Sequence, residues 1–155
     1  MPTTNTLDSK TISGLQDLIQ LNIDSDEGFN AAADQLDASS RLAMHFRECA
    51  AERRSFASEL QAVVGANSER PEQSGTAKGT LHRWWLEIRG AVQDGDEHAV
   101  LAEAERGEDA IKRRYEKVLK ETAGSPVNDL LQRQYAAVKR RHDQVRDMRD
   151  AKAKH

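Results

Sequence analysis

The chain reads as an all-α protein: two antiparallel helical hairpins joined by a long crossover that contains a short helix. Three observations predict this. Apolar residues recur at three- and four-residue steps through four long stretches. Aromatic side chains make up only 5% of the 155 residues while charged ones make up 32%, and breakers are few, with 9 Gly and 3 Pro. A stripe at the helical period with few breakers describes a soluble helical domain rather than a β-sandwich or a disordered tail.

Residues 1–10 are small and polar and read as a flexible end. From Thr11 the period sets in, with Ile12, Leu15, Ile19, Asn22, Ile23, Phe29, Ala33 and Leu36 on one face, so the first helix is expected over about residues 11–36. Gly28 within it costs about 1 kcal/mol relative to Ala, which points to close packing or a local bend. A short polar turn at 37–40 leads into a second helix carrying Leu42, Phe46, Cys49, Phe56, Leu60 and Val64 and ending at Gly65. So tight a turn makes the pair antiparallel neighbours.

Residues 65–76 hold Gly, Pro, Ser and Asn without apolar period and read as a loop. Leu81, Trp85, Ile88 and Val92 then share one face of a short helix over about 77–92, laid on a surface. Its neighbour Trp84 makes a Trp pair that suits either packing or a partner anchor. Asp94 or Asp96 serves as N-cap for a third long helix, about 96–121, on Leu101, Ala104, Ile111, Tyr115, Val118 and Leu119. Gly124, Ser125 and Pro126 form a stop and restart before the last helix, which carries Val127, Leu130, Leu131, Gln134, Val138, Val145 and Met148. One domain is thus expected over 11–150, with a flexible end at 151–155. Two hairpins joined by one long crossover is the connectivity of ferritin-like bundles.

Composition narrows the function classes. The net charge of −3 does not favour nucleic-acid binding, and the basic run at 139–141 is interleaved with Asp143, Asp147 and Asp150. One cysteine, Cys49, excludes a disulfide framework within the chain and any Cys-rich metal site. No apolar run approaches the roughly 20 residues that span a bilayer, and the start MPTTNTLDSK lacks the features of a signal peptide, so a cytoplasmic protein is expected. Phosphate loops, nucleophile elbows and His-Glu-x-x-His are missing from the sequence.

The informative residues are polar ones on the apolar stripes, where an unpaired charge is costly. Asp26, Arg53, Glu108 and Gln134 fall at helical spacing among core positions, with Glu105 and His142 at the margins. Counting back from each turn puts Asp26 level with Arg53, and Glu108 level with the Arg141-His142 pair. Two readings follow. One is a buried network in which Arg53 faces two carboxylates, Asp26 and Glu108. The other is a metal site of Asp26, Glu52, Glu105, Glu108 and His142, with Glu59 as a further candidate. A ferritin-like di-iron site asks for a Glu-x-x-His on each of two helices. Here Ser55 follows Glu52, Ala62 follows Glu59, and Lys139 precedes His142, so neither motif is intact. A guanidinium on the stripe would also repel a dication.

From Thr11 to Asp150 the chain resembles an uncharacterised bacterial family of ferritin-like four-helix-bundle proteins, distantly similar to rubrerythrins and bacterioferritins. SDEGFNAAA, ERRSFASELQ, GTLHRWWLEIRGAV, AEAERGEDAIKRRYEKVL and RQYAAVKRRHDQVR carry the resemblance. It implies a ferritin-like bundle with no established activity, and iron or oxygen chemistry only by way of the fold. Asp26, Arg53, Glu59, Glu105, Glu108, Gln134 and His142 match the family's recurrent polar residues. The expected function is accordingly that of a non-enzymatic, stress-related structural or interaction protein, with no cofactor and self-association through a helix face. The alternative is a carboxylate and histidine protein holding iron or another divalent metal.

Overall fold

Short polar side chains set where the helices start. Asp8 accepts the Thr11 amide at 2.8 Å, Ser40 the Ala43 amide at 3.0 Å and Asp96 the Ala99 amide at 3.0 Å, each capping the helix that follows. In the computed structural model, which describes residues 7–67, 69–73 and 80–153 (the backbone alone at 80–85 and 152–153), these caps open α1 (Ser9–Asp34), α2 (Arg41–Ala66) and α4 (Glu97–Glu121). The other two helices are α3 (Thr80–Gln93) and α5 (Asn128–Ala153). Among the described residues there is no strand.

Helix α1 begins two residues earlier than expected because Asp8 supplies the cap, and it ends at Asp34, ahead of Leu36. The following turn is closed by Asp37, whose carboxylate accepts both the amide and the hydroxyl of Ser39. Gly124, with φ +85°, makes the reversal after α4, and Ser125 Oγ accepts the Val127 amide at 3.3 Å. The remaining residues of the expected flexible ends, 1–6 and 154–155, lie outside the described residues, as do the side chains of Trp84 and Trp85.

The helices form an all-helical bundle. Helix α1 packs on α2 and α4, α4 packs on α5, and α3 lies against α1 and α4. Gly14 marks a close α1–α4 approach, since a Cβ there would stand 3.1 Å from Val118. No helix among the described residues is long and apolar enough to cross a membrane.

The core is split into two apolar halves. One gathers Leu15, Leu18, Ile19, Phe56, Leu60, Ile111 and Leu131. The other gathers Phe29, Leu42, Phe46, Ile88, Leu101 and Val145. Phe29 and Phe46 meet there as a tilted pair with centroids 5.2 Å apart. Between the halves lies a waist of the buried polar side chains Asp26, Arg53 and Glu108, with Asn22 and Gln134 buried next to it within the first half.

Candidate functional site

The waist is built by helical spacing. Arg53 lies four residues after Cys49 and three before Phe56, and both neighbours point into the core, so Arg53 is carried inward with them. Glu108 stands likewise between Ala104 and Ile111 on α4. Both side chains have 0% exposure. Arg53 Nη1 donates to Glu108 Oε1 at 2.8 Å and Nη2 donates to Oε2 at 2.6 Å, a fork-to-fork pair. It joins α2 to α4 through the core. The guanidinium also lies 5.8 Å from the centroid of the Phe29 ring.

Burial works against charge on Arg53, but the Glu108 carboxylate outweighs it by charge and hydrogen bond and holds the guanidinium above its ordinary value. The guanidinium therefore stays charged despite its burial. Removing either member alone would strand a charge in the core.

About two turns along α4 from Glu108, a second set of bonds ties all four long helices together. Asn22 Nδ2 on α1 donates to Tyr115 Oη on α4 at 2.8 Å, and Tyr115 Oη donates to Gln134 Oε1 on α5 at 2.8 Å. Gln134 Nε2 donates to Glu59 Oε1 on α2 at 3.0 Å, and Arg133 Nη2 donates to Glu59 Oε2 at 2.9 Å. Burial lifts the Tyr115 hydroxyl well above the usual phenol range, so it remains a neutral donor. Burial also pulls on Glu59, but its bonds to Arg133 and Gln134 prevail and hold its carboxyl below the ordinary value.

The remaining polar residues are paired elsewhere. Asp26 is buried, yet its partner is not Arg53: Oδ2 takes Arg54 Nε at 3.0 Å and Oδ1 takes Asn30 Nδ2 at 3.0 Å. Asp26 sits at the edge of the α1–α2 contact, where Arg54, 65% exposed, reaches it from the solvent side. Glu52 takes Arg141 Nε at 3.4 Å. Glu105 takes Arg149 and also lies 3.7 Å from His142 Nε2. The His142 ring is placed by Asp109 on Nε2 at 2.8 Å and by Asp143 on Nδ1 at 3.1 Å.

Each carboxylate of the expected ligand set thus has its own cation: Arg54 on Asp26, Arg141 on Glu52, Arg149 on Glu105 and Arg53 on Glu108. The five residues do not converge. Among the described residues no group of three or more His, Cys, Asp or Glu side chains could hold a metal ion. A di-iron centre does not fit a waist whose inner carboxylate is already occupied by a guanidinium.

Nucleophilic chemistry is equally poorly served. Cys49 Sγ lies 3.5 Å from His45 Nε2, but burial pushes the thiol up to about 12, and burial together with Arg141 lowers the imidazole. Both groups rest neutral, the opposite of a thiolate–imidazolium pair. What the waist can do is fix register and orientation, because a slip of any helix by one turn would break several bonds at once.

Sequence reasoning missed Arg54, Asp109 and Arg149 as partners, and it counted Asn22 and Tyr115 only as members of apolar stripes. For the last two a signal existed, an amide and a phenol at core positions, each of which demands a partner when buried.

Residues 10–121 match a domain of unknown function, DUF2383. The match spans α1 through the end of α4, so Asp26, Arg53, Glu59, Glu105 and Glu108 lie within it while Gln134 and His142 on α5 lie beyond. No curated protein matches the chain. With more than half of its length matched, the chain belongs to the DUF2383 family, to which no function is assigned.

Proposed function

We propose that this chain is a non-catalytic structural or interaction protein. In this reading it is a ferritin-like four-helix bundle of bacterial type, folded as one domain over 11–150, in which an internal ion pair occupies the place of a metal centre. One observation carries the reading: Arg53 and Glu108, both without exposed surface, close on each other through bonds of 2.8 and 2.6 Å at the middle of the core. A permanent cation there satisfies the inner carboxylate and repels a second positive charge. Supporting the ferritin-like assignment are the order of two long helices, a short helix and two long helices, and side-chain bonds that link all four long ones. The neutral Cys49–His45 pair supports the absence of covalent catalysis. A lone buried thiol suits the cytoplasm, and stress-related expression belongs to the same reading.

Thermal unfolding with added Fe²⁺, Mn²⁺ or Zn²⁺ tests the proposal, because a ligand that binds only the folded state raises the melting temperature. The expected result is no shift with any of the three. A saturable, chelator-reversible rise with one metal would overturn it.

A further inference from the structure

Helices α2 and α5 are not drawn together by close backbone packing; long side chains span the gap between them. At one end the gap opens into a cleft of about 480 Å³ lined by residues that include Arg41, Met44, Glu48, Arg141 and Met148. Met44, 57% exposed, stands at its rim and is one of two large apolar side chains left in water among the described residues. Arg41 is exposed and makes no ion pair among the described residues, and Glu48, 62% exposed at its side chain, has only a 3.5 Å contact with Arg141.

Arg41 and Glu48 are seven residues apart, two helical turns or about 10.5 Å along one face of α2. Their midpoint lies beside Met44. Two copies of α2 crossing antiparallel about that midpoint would set Arg41 of each against Glu48 of the other, with each Met44 at the mouth of the opposite cleft. A two-fold interface requires this kind of self-complementarity, in which residue i meets j and j meets i. We propose that the α2 face centred on Met44 is the docking surface for a second copy of this chain. The proposal gives the interaction reading above a partner and a place, and its test is independent of metal content.

The test is sedimentation equilibrium of the full chain between micromolar and near-millimolar concentration, with circular dichroism to confirm folding. The wild type is expected to dimerise. Arg41→Glu and Glu48→Arg each place like charges opposite one another at both ends of the contact and should weaken association about a hundredfold. The double variant Arg41→Glu/Glu48→Arg should restore it. Mixing the two single variants should give a heterodimer, since both acidic positions of one chain then face basic positions of the other. A wild type that stays monomeric, single variants that associate as well as the wild type, or a double variant that is not restored would overturn the proposal. Association lost instead on Leu86→Glu would assign the contact to α3 and overturn it as well.

Discussion

The Arg53 guanidinium on α2 and the Glu108 carboxylate on α4 share two bonds across a part of the core from which solvent is excluded. Two apolar half-cores flank this layer. The pair is consequently less a source of net stability than a constraint on which residues of α2 and α4 stand level, because desolvation offsets much of the attraction.

Arg53→Met is expected to destabilise the fold by about 3–5 kcal/mol, since it leaves the Glu108 charge buried and unpaired. Arg53→Met/Glu108→Leu should recover most of that loss, while adding Asp26→Asn to Arg53→Met should recover none, because Asp26 pairs with Arg54. Urea unfolding of the four proteins checks this. Arg53→Lys should also cost stability, as an ammonium cannot form the fork.

Tyr115→Phe keeps the ring and deletes the hydroxyl that accepts from Asn22 and donates to Gln134. The Gln134 oxygen is then buried without that donor, for an expected loss of about 1–3 kcal/mol in urea unfolding. Asn22 retains its bond to the Leu18 carbonyl, so Asn22→Ala in the Tyr115→Phe background should cost less than in the wild type.

Acid should weaken the fold in part through His45. Burial, then Arg141, lowers its pKa below the ordinary 6.5, so the unfolded chain binds the proton more readily than the folded one. Its contribution is complete above 6.5 and is lost as pH falls from there toward the lowered value. His45→Gln should flatten this limb of the stability–pH curve. At the alkaline end Cys49, raised from 9.0 to about 12, works in reverse: the unfolded chain ionises first, and stability declines as pH rises past 9. Consistent with that, Cys49 should react with a disulfide reagent at a pH of about 8 only as fast as the protein opens.

Gly65→Ala and Gly14→Ala separate propensity from packing. A Cβ on Gly65, in the last turn of α2, meets nothing within 4 Å, and the change should stabilise by up to about 1 kcal/mol. At Gly14 the same gain is opposed by Val118 at 3.1 Å, a buried branched side chain with little room to turn. Its melting temperature should rise less than that of Gly65→Ala, or fall.

Much of the helical pattern was legible in the chain, and so was the inward aim of the waist residues. Apolar spacing located the long helices, and of the two candidates Asp94 and Asp96 it is Asp96 that caps α4. Ser125 and Pro126, expected to open the last helix, lie in the turn before it, and α5 begins only at Asn128. Partner choice was much less so. Counting residues from a turn sets Asp26 level with Arg53, but not which side of the α1–α2 contact each occupies, and one step around the helix hands Asp26 to Arg54 instead. The same limit hid Asp109 beside His142 and Arg149 beside Glu105. Both are flank residues whose reach depends on helix rotation, a tertiary property that periodicity does not encode.

The most direct test is elemental analysis of protein purified from iron-rich medium. A waist closed by Arg53 and Glu108 should yield iron far below one atom per chain. A reproducible content near two irons per chain, the loading of a ferritin-like carboxylate centre, would show that the guanidinium does not occupy the centre of the bundle.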